Sequence, residues 1–239
     1  MAKSCSCLQR QCILCETLST AQDECTEQQF CEIEGSISKD VYRANEWLFQ
    51  QGMPARDLFI LKYGHVKLSS SLPDGRCHGL RLAGPWSVLG IEALGMESYP
   101  FSAVALTDVQ VCTFRHRDML AALENNPKTS LKLVTMLNAE LRRSMEQLRN
   151  IGVLHASERV AWFLLSTAVD NTCPPVSRSD MAEILGLTME TVSRVLSRLR
   201  QCGLVDAPSN RRSVRILDPE RLEALCGDTR QAQLPLNCA

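Results

Sequence analysis

Residues 177–203, SRSDMAEILGLTMETVSRVLSRLRQCG, constrain the fold of this chain more than any other stretch. Their pattern is two short helices joined by a tight turn. Ser177 is placed to cap the first helix, and Asp180 falls in its first turn, where a carboxylate meets the positive end of the helix dipole. Met181, Ile184 and Leu185 recur at helical spacing before Gly186 interrupts the run. Thr188 is suited to cap a second helix and Gly203 to end it. On that helix Val192, Val195, Leu196 and Leu199 form one apolar stripe, leaving Glu190, Ser193, Arg194, Ser197 and Arg198 outward. A helix held this way offers its N-terminal side chains to the DNA major groove. Arginine can pair with guanine, glutamate can accept from cytosine N4, and serine can contact either kind of base.

Beyond Gly203, Leu204-Val205-Asp206, a turn at Pro208-Ser209-Asn210, and Ser213-Val214-Arg215-Ile216-Leu217 predict a β-hairpin wing. Arg211, Arg212 and Arg215 would meet phosphates from it. Residues 177–217 hold seven arginines, no lysine and four acidic residues, in a chain whose net charge is −1. The basic charge is thus concentrated where DNA would bind, whereas an ordinary helical hairpin with a solvated face needs no such bias.

At 239 residues the chain is long enough for two small domains with their own cores. Its near-neutral charge argues against a purely electrostatic nucleic-acid binder. The start, MAKSCSCLQRQ, has no apolar run of signal-peptide or membrane-span length, so a cytoplasmic protein without a membrane partner is expected. In that compartment twelve cysteines do not read as a disulfide framework. Six of them (Cys5, Cys7, Cys12, Cys15, Cys25 and Cys31) crowd the first 31 residues. Cys12 and Cys15 form C-x2-C, which can present two thiolates to one metal centre. Cys112, in a strand-like VQVCTF run, reads as a buried core thiol, and Cys202 as structural.

Residues 41–114 are short alternating runs broken by turns, which predicts seven or eight strands in a sandwich or β-roll. A long helix follows from Pro127 to about Ile151. Val134, Leu137, Leu141, Ser144, Leu148 and Ile151 succeed one another at spacings of three and four in strict alternation. That is a coiled-coil seam, although one helix packed on its own domain could produce the same stripe. A dimer is favoured, because a helix-turn-helix protein must set two recognition helices on successive turns of DNA. Ser144 weakens the seam. Gly152 and residues 155–159 mark a hinge. No nucleotide loop, nucleophile motif or carboxylate pair supports catalysis, so an enzyme is not expected.

The order of parts, with LGLTMETVSRVLSRL, LFILKYGHVKL, LAGPWSVLGIEALG, YPFSAVAL and ASERVAWFLL, resembles the Crp/Fnr family of bacterial transcription regulators, and its Fnr branch above all. The resemblance implies an α+β architecture in four parts. They are a Cys-rich segment (1–31), a β-roll like the cyclic-nucleotide-binding jelly roll (32–126), a dimerisation helix (127–154) and a winged helix-turn-helix (155–239). It implies that Glu190, Ser193 and Arg194 read a TTGAT-type half-site repeated as a palindrome, with Arg198 beside them, and that the homodimer meets RNA polymerase. Where nucleotide-binding relatives carry a phosphate-holding arginine after Gly90-Ile91-Glu92, this chain has Tyr99-Pro100-Phe101-Ser102, so cAMP is not expected. None of His65, His78, His116 and His155 lies in a recognisable haem setting.

The Fnr branch binds an oxygen-labile iron–sulfur cluster, [4Fe–4S], through three N-terminal cysteines and one in the β-roll. Carried onto this sequence, the resemblance implies Cys12, Cys15, Cys25 and Cys112 as ligands. The gap between Cys15 and Cys25 is longer than the usual pattern, which leaves Cys5 and Cys7 as rivals for the third place. Zinc, a thiol switch, a small ligand in the β-roll, and an iron–sulfur redox protein are the alternatives. The expected mechanism has the intact cluster tying the N-terminal segment to the β-roll while the seam closes. Loss of the cluster to oxygen or nitric oxide then opens it. A change of roughly 3 kcal/mol in dimerisation would alter occupancy more than about a hundredfold.

Overall fold

The computed structural model describes residues 38–125, 127–206 and 213–227. The first part is an eight-stranded roll: β1 (Ser38–Tyr42), β2 (Trp47–Phe49), β3 (Asp57–Tyr63), β4 (Val66–Ser71), β5 (Cys77–Ala83), β6 (Val88–Leu89), β7 (Ser102–Ala105) and β8 (Val109–Arg115). The strands form two antiparallel sheets, in the orders β1-β8-β3-β6 and β2-β7-β4-β5. Side chains alternate across a strand, so β8 serves two cores at once. Val109 and Val111 point between the sheets, where Phe59, Leu61, Val66 and Leu68 join them. Cys112 and Phe114 point to the other face, with Leu58, Ile60 and Val88. The short helix α1 (His116–Asn125) covers that face through Met119.

Proline, lacking an amide hydrogen that a helix start would leave unbonded anyway, opens the 27-residue helix α2 (Pro127–Val153). Three further helices follow: α3 (Ala156–Thr167), α4 (Arg178–Leu185) and α5 (Met189–Gln201). The hairpin β9 (Val205–Asp206) and β10 (Arg215–Ile216) and the helix α6 (Pro219–Gly227) complete the described chain. Val160, Phe163, Leu164, Met181, Ile184, Leu185, Val192, Leu196, Leu199 and Leu222 share one core. That core reaches beyond its own helices: Leu106 belongs to it, and Leu82 and Val104 of the second sheet pack against it. The eight strands, the long helix and the winged helix-turn-helix agree with the expected α+β class. No described helix is long and apolar enough to cross a membrane.

Candidate nucleic-acid interface

The helix-turn-helix is built as its caps dictate. Ser177 Oγ accepts from the Asp180 amide at 3.1 Å, and Thr188 Oγ1 accepts from the Thr191 amide at 3.2 Å. Gly186 ends α4 in the left-handed region, at φ 62° and ψ 41°. Such a turn suits glycine, and it lets α5 start three residues later at an angle to α4. Val192, Val195, Leu196 and Leu199 are buried, which fixes the rotation of α5. Glu190, Arg194 and Arg198 are consequently exposed and Ser193 is half-buried on the same side. Ser197 is different, because its hydroxyl donates back to the Ser193 carbonyl at 2.9 Å.

Two residues that sequence reasoning did not single out as functional hold this unit to the hinge. Arg159 donates from Nε to the Leu154 carbonyl at 2.9 Å and from Nη1 to the Leu185 carbonyl at 3.2 Å. A guanidinium thus closes the carbonyl end of α4, where positive charge is favoured. Glu158, only 1% exposed, accepts from the His155 amide at 2.6 Å at the start of α3. An alternation pattern cannot reveal either role, because both partners are carbonyls or amides.

The wing pairs Arg215 with Asp206 in register. Arg215 Nη2 also lies 3.3 Å from Asp206 Oδ2, an exposed ion pair across the hairpin. Arg211 and Arg212 fall outside the described residues.

On α2 the seam is laid bare. Val134, Leu137, Leu141, Ser144 and Leu148 are exposed, Leu148 to 71%, and Leu131 and Met145 extend the apolar surface. Ile151 departs from the stripe: it is half-buried and reaches the turn at Gly186. One flank of the seam on α2 is engaged, with Gln147 Nε2 donating to the Leu80 carbonyl at 2.6 Å. Arg81, which the sequence reading overlooked, sets Nη1 3.2 Å from Glu140 of α2 and Nη2 3.6 Å from Glu92. A cation therefore does stand beside Glu92, but two carboxylates already claim it.

Cys12, Cys15 and Cys25 lie outside the described residues, as do the rivals Cys5 and Cys7. Cys112 is 5% exposed in the middle of β8, in the apolar cluster of Leu58, Ile60, Val88, Phe114 and Met119. Its register partner on β1 is Lys39, one residue from where the described chain begins. Cys173 and Cys226 belong to the winged domain; burial pushes each thiol up to about 11, and for Cys226 the charges of Glu158 and Glu223 add to it. Such thiols stay protonated and are poor metal ligands. Among the described residues no three His, Cys, Asp or Glu side chains converge to hold a metal ion.

Residues 39–126 match the family described as cyclic nucleotide-binding domain, and residues 158–225 the Crp-like helix-turn-helix domain. The chain is 35% identical to the transcriptional activatory protein AadR of Rhodopseudomonas palustris, over 77% of this chain and 79% of that protein. It is 30% identical to the transcriptional activator protein FnrA of Stutzerimonas stutzeri, over 80% and 81%. Among solved structures it resembles FixK2 from Bradyrhizobium japonicum, with 31% identity and a TM-score of 0.72 over 79% of this chain and 96% of that one.

Proposed function

The chain belongs to the Crp/Fnr family of DNA-binding transcription regulators, and on that premise we propose that it is a homodimeric activator reading TTGAT-type palindromes under the control of an N-terminal iron–sulfur cluster. The observation that carries the DNA-binding part is the orientation of α5, whose buried apolar stripe turns Glu190, Ser193 and Arg194 outward together. Glutamate, serine and arginine in that order supply an acceptor, a two-way hydroxyl and a bidentate donor to successive base edges. The exposed stripe from Leu131 to Leu148 is the surface for a second copy. An activator of this kind works in the cytoplasm and contacts RNA polymerase.

Cys12, Cys15, Cys25 and Cys112 are the residues that would hold the cluster. The surroundings of Cys112 fit such a group: they are apolar, which limits solvent access, and they adjoin the point where the N-terminal chain joins the sheet. When bound, the cluster would supply an oxidant-sensitive link between four thiolates. This chain's own residues do the rest. With the cluster bound, Cys112 would tie the N-terminal cysteines to β8, while α2 offers its stripe to a partner and α5 meets the palindrome.

The test is iron and acid-labile sulfide on protein purified without oxygen, followed by binding to an inverted TTGAT duplex before and after exposure to air. About four iron and four sulfide per chain, lost in air together with tight binding, are expected. Zinc, or no metal with binding unchanged in air, would leave the regulator in place and move its signal to a thiol or a ligand in the roll. Absence of sequence-specific binding would overturn the whole reading.

A further inference from the structure

The outer face of the second sheet is turned to the winged domain. Val104, Lys67 and Leu82 stand side by side in register across β7, β4 and β5. The two apolar members pack on the core of the winged domain, and between them sits one charge. Lys67 is 9% exposed, and its Nζ donates to Asp180 Oδ1 and to Glu183 Oε2, each at 2.7 Å. Both carboxylates belong to α4, three residues apart and on one face. One ammonium thus holds two partly buried like charges together. On the neighbouring strand a Cβ added at Gly79 would lie 2.9 Å from the Ile184 amide nitrogen, so only glycine permits this approach of β5 to α4. The same β5 is bonded to α2 through Leu80 and Arg81. It therefore stands between the helix that carries the seam and the first helix of the DNA-reading unit.

We propose that Lys67 is a positioning residue for DNA recognition. Its double ion pair, with the close approach at Gly79, locks the helix-turn-helix at one angle to α2 and so sets the separation of the two recognition helices in a dimer. The inference rests on the dimeric DNA-binding reading above. Removing the ammonium takes the shared cation from two partly buried carboxylates, a cost that is relieved when α4 leaves the sheet and both take up water. No latch residue lies on α5. Half-site reading and half-site spacing are accordingly separable, the first belonging to α5 and the second to Lys67.

The experiment compares the full-length dimer with its Lys67→Met variant on duplexes carrying inverted TTGAT half-sites, the spacer altered one base pair at a time. Each added base pair rotates one half-site by about a tenth of a turn. Wild type is expected to favour one spacer. Lys67→Met is expected to lose that discrimination by about tenfold while still preferring TTGAT to a substituted half-site. Amide exchange over residues 77–83 and 178–185 should quicken by about tenfold as well. The exchanged pair, Lys67→Glu with Glu183→Lys, should restore both. Spacer discrimination and exchange that match wild type would overturn the proposal. If wild type binds none of the duplexes, the half-site assignment fails by itself, and the exchange comparison alone decides the latch. Should Lys67→Met not fold, Gly79→Ala takes its place; it pushes α4 off the strand with the charges intact, and unchanged spacing and exchange would again count against the latch.

Discussion

Arg194 lies in the second turn of α5, between Val192 and Val195, whose burial leaves it no path but outward. Its role is therefore testable without disturbing the fold. Arg194→Ala is expected to cost about 1–3 kcal/mol of specific binding and to relax preference at a single base pair; competition among single-base variants of the half-site reads this, and an unchanged preference removes Arg194 from recognition. The thiols of Cys173 and Cys226 are tied to stability instead. Burial raises both to about 11 from an ordinary 9.0, so the folded state holds these protons more tightly than the unfolded one. The stabilisation is complete below pH 9.0 and is lost as pH rises toward about 11. Thermal unfolding followed across that window should show a falling midpoint, and Cys173→Ala with Cys226→Ala should flatten the decline. Near neutral pH, iodoacetamide should reach exposed Cys77 well before either.

At the scale of elements, two junctions decide how helices meet. Gly186 turns the chain between α4 and α5 at φ +62°, and a Cβ there would meet only ordinary contacts, 3.9 Å from Arg159 and 4.0 Å from Ile151. Gly186→Ala should then cost backbone strain alone, about 1–2 kcal/mol by denaturant titration. A much larger loss would mean that the turn is packed more tightly than the structure has it. The long helix presents the second case. Its exposed stripe is amphipathic in the wrong direction for a lone domain, since Leu141 and Leu148 face water in the single chain. Leu141→Asp should yield a folded monomer by sedimentation and weaken palindrome binding by more than about tenfold. A dimer that survives this change is held by another surface.

Among the described residues the β-roll joins two regions, α2 along one side and α4 against the second sheet. Cys112 sits on the first sheet and Lys67 on the second, so a change imposed at β8 has a packed route to the DNA-reading unit across one core. Cys112→Ser is expected to abolish cluster loading and air-sensitive binding while leaving the roll folded, as a near-isosteric change of one side chain should. Iron content and circular dichroism check it together; full iron with normal regulation would take Cys112 out of the ligand set. Much of this organisation was open to a reader of the sequence. Caps, apolar periodicity and turn residues are local signals, and they specified α4, the turn at Gly186 and α5 closely, and the roll as a run of seven or eight short strands without the bounds of each. The short helices α1 and α6 were not expected, although Asp218 caps α6 by accepting from the Arg221 amide at 3.0 Å, and the ion pair of Arg215 with Asp206 forms only because the hairpin sets the two in register.

What the sequence determined by itself were features whose cause lies within a few residues: the two helices and turn of the DNA-reading unit, the long helix, which face of α5 is polar, and where cysteines crowd. Tertiary structure decided the partnerships. Lys67 meets a carboxylate 113 residues away, Gln147 a carbonyl 67 residues away, and Arg159 the end of a helix 26 residues on. No spacing rule links such pairs, because their proximity is a product of how the sheets and helices close on shared cores. Ile151 shows the same limit from the other side: its place in the seam follows from periodicity, and its turn toward Gly186 follows only from the domain packed beside it.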